Sequence, residues 1–99
     1  MDKVLVLNFK DNVANVLELE GIKKGELVKI NLGEEIIEVI IKENIYFGHK
    51  FAIKKINRGE GIIKYGERIG KAIKDIKKGF HVHVHNVESE RGRGDLKLH

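Results

Sequence analysis

Apolar residues along this chain fall into short runs rich in valine and isoleucine, at residues 4–7, 27–30, 36–41, 51–53, 62–65, 69–72 and 81–87. Polar residues and glycines interrupt every run, and such spacing predicts a domain built of short β-strands. Gly21, Gly25, Gly33, Gly59, Gly66 and Gly79 stand where the chain must reverse, because glycine accepts positive φ. Helix enters the expectation at two places only. Asp11 can cap a helical turn over residues 12–17, and residues 73–78 have the composition of one further turn. The fold class read from this pattern is mainly β, with short strands, long loops and at most one or two short helical turns.

A weak internal repeat accompanies the strands. Ile22-Lys23-Lys24-Gly25, Ile56-Asn57-Arg58-Gly59 and Ile76-Lys77-Lys78-Gly79 share the form isoleucine, two polar residues, glycine. The physical reading is one recurrent turn, with isoleucine anchored in the core and glycine turning the chain. Irregular spacing argues against a solenoid.

The run at 81–87 differs in chemistry. His81-Val82-His83-Val84-His85-Asn86 alternates imidazole and valine and holds three of the five histidines. In an extended strand the imidazoles share one face, with His83 and His85 about 6.8 Å apart, and the valines face the core. Imidazole binds metals and carries protons near neutral pH. A solvated, histidine-rich strand face is the competing account, since two histidines are too few for a closed metal site.

Composition narrows the class. Ninety-nine residues with 41% hydrophobic and 34% charged residues describe one globular domain. No apolar stretch reaches membrane-spanning length, and residues 4–7 are too short for a secretion signal's apolar region. A cytoplasmic location is therefore expected, with no membrane partner. The absence of cysteine removes disulfides and thiolate chemistry together. The net charge of +4 is mild, and no stacking aromatics flank the basic Arg91-Gly92-Arg93-Gly94 segment, which argues against nucleic-acid binding. From residue 88 onward almost nothing is apolar, so residues 1–87 are expected as the domain and 88–99 as a flexible tail.

Four motifs in consistent order carry a resemblance. They are Asp11-Asn12-Val13-Ala14, then Gly48-His49-Lys50-Phe51-Ala52, then Ile63-Lys64-Tyr65-Gly66-Glu67 with Ile69-Gly70, and Val82-His83-Val84-His85-Asn86. Together they resemble the SAF-type domain of the altronate/galactarate dehydratase family, and the small subunit of sulfolactate sulfo-lyase is similar too. The resemblance implies a β-clip fold. It also implies a metal-dependent lyase whose divalent metal, iron(II) as the usual ion, is held mostly by a larger catalytic partner. Because the chain stops where a fused enzyme would continue, it resembles the stand-alone small subunit.

The expected function is thus the small subunit of a sugar-acid dehydratase, completing the site of a large subunit and inactive alone. Within it, His83, His85 and Asn86 are the catalytic candidates, and His83 and His85 also the candidate metal ligands. His49, Lys50, Asp11 and Asn12 are the candidates for binding the sugar acid. His81 lies outside the family's histidine pair and reads as a solvated or interface residue. Lys64 and Tyr65 offer a second cation and a phenol, although a packed turn explains them as well. A non-catalytic binding module for a sugar acid or small anion is the alternative, and self-association into a homo-oligomer stays open.

Overall fold

Four turns of one design set the path of the chain in the computed structural model, which describes residues 3–90. Ile22, Ile45, Ile56 and Ile76 are each no more than 2% exposed, and they pair two by two as the bridges Ile22↔Ile45 and Ile56↔Ile76. In each pair the isoleucines exchange both backbone hydrogen bonds, at 2.7–2.9 Å. Three residues after each isoleucine comes a glycine at positive φ: Gly25 (96°), Gly48 (81°), Gly59 (90°) and Gly79 (93°). The next residue's N–H closes the turn, as Glu26 does onto Lys23 O at 3.1 Å and His49 onto Tyr46 O at 3.0 Å. Positive φ at the third position of a closed four-residue turn is the signature of type II. The repeat therefore has a fourth copy, Ile45-Tyr46-Phe47-Gly48, which aromatic residues at the polar positions had concealed.

Between the turns run nine strands: β1 (Val4–Leu5), β2 (Val13–Val16), β3 (Leu27–Leu32), β4 (Glu35–Ile40), β5 (Lys50–Ala52), β6 (Gly61–Lys64), β7 (Glu67–Ala72), β8 (His81–Val82) and β9 (Val87–Ser89). They form three antiparallel sheets, ordered β1-β2-β5-β8, β3-β4 and β6-β7-β9. All regular elements of three residues or more among the described residues are strands, so the mainly β expectation holds. No helix among them is long and apolar enough to cross a membrane.

β2 and β5 separate two cores. Ala14, Val16 and Phe51 join Ile22, Val39 and Ile45 on one side, while Val13 and Ala52 join Ile56, Ile62 and Val82 on the other. Alternate residues of a strand point to opposite faces, and here both faces are dry. That explains the first correction. Residues 12–17 are not a helical turn capped by Asp11; Val13–Val16 is a strand held between β1 and β5. A strand buried on both faces shows no polar alternation, so its pattern resembled a short helix.

The second correction concerns the histidine run. The strand ends at Val82, residues 83–86 turn, and a new strand starts at Val87. Asn86 makes the turn. Its Oδ1 accepts from His83 N–H at 2.9 Å, and its Nδ2 donates to His81 O at 2.8 Å. An asparagine side chain bonding to nearby backbone competes with the strand ladder. Val84 is consequently 77% exposed instead of buried, whereas Val82 is fully buried.

β9 then pairs with β7, Lys71 opposite Glu88 and Gly70 opposite Ser89. Sheet structure thus continues past the residue-88 boundary expected for the tail. Arg68 holds Glu90 with two of its guanidinium nitrogens, Nε at 2.6 Å and Nη2 at 3.2 Å. The remainder of the expected tail, 91–99, lies outside the described residues.

Candidate functional site

Register brings three histidines together. In the β5–β8 ladder Lys50 faces Val82 and Phe51 faces His81. Continuing that ladder by one step sets His49, just after the Gly48 turn, opposite His83. Directly opposed residues and residues two apart share a face, so the three rings converge. His49 Nδ1 lies 2.9 Å from His81 Nε2. Ring centroids are 5.0 Å apart for His49 and His81, 4.8 Å for His49 and His83, and 5.3 Å for the stacked pair His81 and His83. One coordinating nitrogen from each of the three lies within 4.8 Å of the others.

His81, read from sequence as a solvated or interface residue, belongs to this cluster. Its signal was present, since it sits two residues before His83 in the same alternation. His85 does not belong. Its ring is 5.3 Å from that of His81, but it lines a separate groove with Glu43, Lys74 and Asp75. The turn at 83–86 is what separates His83 from His85.

Burial pushes the His81 imidazole down to about 4, helped by the neighbouring His49, His85 and His83 and opposed by Glu43. Glu43 also accepts the His81 backbone N–H at 3.1 Å. His83 is lowered as well, by burial first and then by His49, Lys50 and His85. Burial lowers the Lys50 ammonium too, with Lys64 adding repulsion.

His83 also borders a groove of about 390 Å³, whose other walls include Lys50, Lys64, Tyr65, Ile69 and Val87. Tyr65 and Gly66 form the β6–β7 hairpin turn, with φ of 54° and 80°. Positive φ at both central residues is the two-residue type I′ geometry that suits twisted strands.

Asp11 and Asn12, expected to bind substrate, lie under this hairpin and their side chains are engaged there. The Asp11 carboxylate is fully buried and accepts Gly66 N–H at 2.7 Å. Asn12 accepts from Ile63 N–H and donates to Gly61 O, both at 2.8 Å. Asn86, expected as catalytic, is 4% exposed and closes its own turn. No buried side-chain polar atom among the described residues lacks a partner, so these three polar groups are accounted for by the fold.

Comparison with known proteins places the whole described span in one family. The family model described as the altronate/galactarate dehydratase SAF domain matches residues 2–90. The chain belongs to that family. Similar proteins include the (2R)-sulfolactate sulfo-lyase subunit alpha of Chromohalobacter salexigens, 33% identical over 88 residues that cover 87% of this chain and 94% of that subunit. The altronate dehydratase of Bacillus subtilis is 37% identical over all of this chain, which spans 18% of that enzyme. The altronate dehydratase of Escherichia coli is 45% identical over 79 residues, 80% of this chain and 15% of the enzyme. The SAF family thus includes relatives named as a lyase subunit and others named as much longer dehydratases. The histidine cluster and its groove lie inside the matched span.

Proposed function

We propose that this SAF domain acts as the small subunit of a hydroxy-acid lyase and completes the active site of a larger catalytic subunit. The observation that carries the reading is the convergence of His49, His81 and His83 beside an open groove, within a chain that spans 94% of a lyase subunit alpha. Dehydration and sulfo-elimination share one chemistry. A proton leaves the carbon beside a carboxylate, and its electron pair expels hydroxide, released as water, or sulfite from the next carbon.

The donor set fits a divalent metal. The 2.9 Å between His49 and His81 nitrogens suits neighbouring ligands each about 2.0–2.1 Å from a common ion. Imidazole donors suit iron(II), zinc and related ions, and iron(II) is the ion we assign. His49, His81 and His83 would hold it, with further ligands from the large subunit. Such an ion supplies Lewis acidity for negative charge that develops on substrate oxygens. This chain's own residues anchor and orient. Asn86 fixes the His83 backbone, Glu43 fixes that of His81, and Asp11 and Asn12 hold the groove's hairpin wall. His83 is the histidine shared by cluster and groove, so it stands nearest the reacting carbon.

Reconstitution tests the reading. The full chain and a large lyase subunit from the same source are assayed separately and mixed, following dehydration of altronate and sulfite release from (2R)-sulfolactate. The mixture turns over one of these acids and neither subunit does so alone. Large-subunit activity that this chain does not raise overturns the proposal. Acid binding without any turnover in the mixture favours the non-catalytic binding module.

A further inference from the structure

The geometry points to an anion subsite formed by Lys50 and Lys64 and positioned by Tyr65, which takes the carboxylate of a hydroxy acid whose reacting carbon lies at His83. The inference rests on the lyase reading above and adds where the substrate's acid group docks.

Lys50 and Lys64 come from different sheets yet line one groove with His83. Neither ammonium is paired with a carboxylate among the described residues, where the ion pairs are made by Lys3, Lys29, Arg68 and Lys71. Two like charges beside one cavity repel, and a bound anion offsets that repulsion. Lys50 is half-buried and Lys64 Nζ sits 5.1 Å over the Tyr65 ring, a cation–π contact that keeps the second ammonium at the groove. Ile69 and Val87 contribute apolar wall, which strengthens attraction between lysine and carboxylate by excluding water. Glu67 also lines the groove; it suits a hydroxyl donor and disfavours a bare inorganic anion.

The hairpin that carries Lys64 is built for position. Its type I′ turn would be served best by Asn-Gly, yet Tyr65 occupies the first place at φ 54°. The phenol accepts from Asn15 Nδ2 at 3.1 Å, and Asn15 is the cross-strand partner of Lys50. One side chain therefore ties the turn holding Lys64 to the strand pair holding Lys50. From below, Asp11 fixes Gly66. Tyr65 and Asp11 are positioning residues for the two ammonium groups.

Nuclear magnetic resonance titration of the full, chelator-treated chain with altronate, (2R)-sulfolactate and inorganic sulfate tests the assignment. At least one of the two acids should perturb Lys50, Lys64, Tyr65 and His83. Lys64→Gln and Lys50→Gln should each weaken its binding about tenfold or more, the loss of one charge-assisted hydrogen bond. Lys50→Arg should retain most of the affinity, and Lys29→Gln, on the distant β3, all of it. Unchanged affinity in both glutamine variants, perturbations that map elsewhere, or no binding of either acid overturns the subsite. So does sulfate that binds as tightly as the acid, which reduces the site to general anion attraction. Cobalt(II) absorption, read on the same samples, separates this outcome from the metal reading. A chain that takes cobalt but no acid sinks the subsite alone, and one that takes acid but no cobalt sinks the histidine centre alone. Lys64 lies on an exposed hairpin, and unchanged circular dichroism of Lys64→Gln keeps that variant decisive if Lys50→Gln fails to fold.

Discussion

His49 Nδ1 and His81 Nε2 stand 2.9 Å apart although they lie 32 positions apart along the chain. The Gly48 turn delivers one ring and the β5–β8 ladder delivers the other. Because a ring nitrogen of His83 joins theirs within 4.8 Å and none of His85 does, the four described histidines divide into a trio and an outlier.

Substitution should follow that division. In the reconstituted lyase, His49→Ala, His81→Ala and His83→Ala are expected to lower iron(II) or cobalt(II) affinity by no less than the about 10–100-fold that losing an outer-shell partner costs. kcat/KM should fall with it. His85→Ala should leave metal content nearly unchanged. Metal analysis after gel filtration checks this, and equal, small effects from all four would mark a solvated histidine face.

Asn86→Ala should destabilise the chain by about 1–3 kcal/mol for each buried backbone group left unpaired. His83 N–H and His81 O are the groups at risk. Urea titration measures the loss. Metal affinity should drop as well, because the turn that aims His83 is released. A variant as stable as the parent would show that water replaces the side chain at no cost.

Two glycines with nearly equal φ separate backbone strain from steric conflict. Gly59→Ala, at φ 90° with nothing within 4 Å of an added Cβ, should cost about 1–2 kcal/mol from the left-handed backbone alone. Gly79→Ala, at φ 93°, should cost clearly more, because its Cβ would run into the Ile40 carbonyl. Equal melting temperatures for the two variants would contradict this packing.

Acid lability should have a traceable contribution at the first type II turn. Glu26 accepts Lys23 N–H at 3.1 Å and pairs with Lys3 at 3.4 Å. The bond from Lys23 N–H is the first cause that holds its carboxyl below the ordinary 4.5. A carboxyl depressed in the folded chain binds its proton more readily when unfolded. Its stabilisation is therefore complete above about pH 4.5 and is lost as pH falls through the lower folded value. Glu26→Gln should destabilise the chain at pH 7 by less than about 1 kcal/mol for so exposed a pair, read as a slightly lower melting temperature. At pH 3 the gap from the parent should shrink. A gap that is constant with pH would remove the charge from the explanation.

The chain's own pattern was enough for the strands with a visible alternation and for the turns. Apolar runs near 27–30, 36–41 and 69–72 became β3, β4 and β7, and Ile-x-x-Gly marked the turns wherever polar residues filled its middle. Those signals are local, because periodicity and glycine reflect the conformation of a few consecutive residues. The motifs that resemble the SAF family were also legible as linear order. Tertiary structure decided the rest. β2 was hidden because Val13–Val16 buries both faces between β1 and β5. The break after Val82 depends on one buried asparagine reaching back to His81 and His83, which outweighs the extended preference of His-Val-His-Val. The trio itself could not be read along the chain, since His49 meets His81 only through the β5–β8 ladder. Lys50 and Lys64 line one groove because Asp11, Asn12 and Asn15 tie the Lys64 hairpin to the strand that pairs with Lys50. Which side chains share a site is set by long-range register, and a linear pattern carries that information only after the sheets have paired.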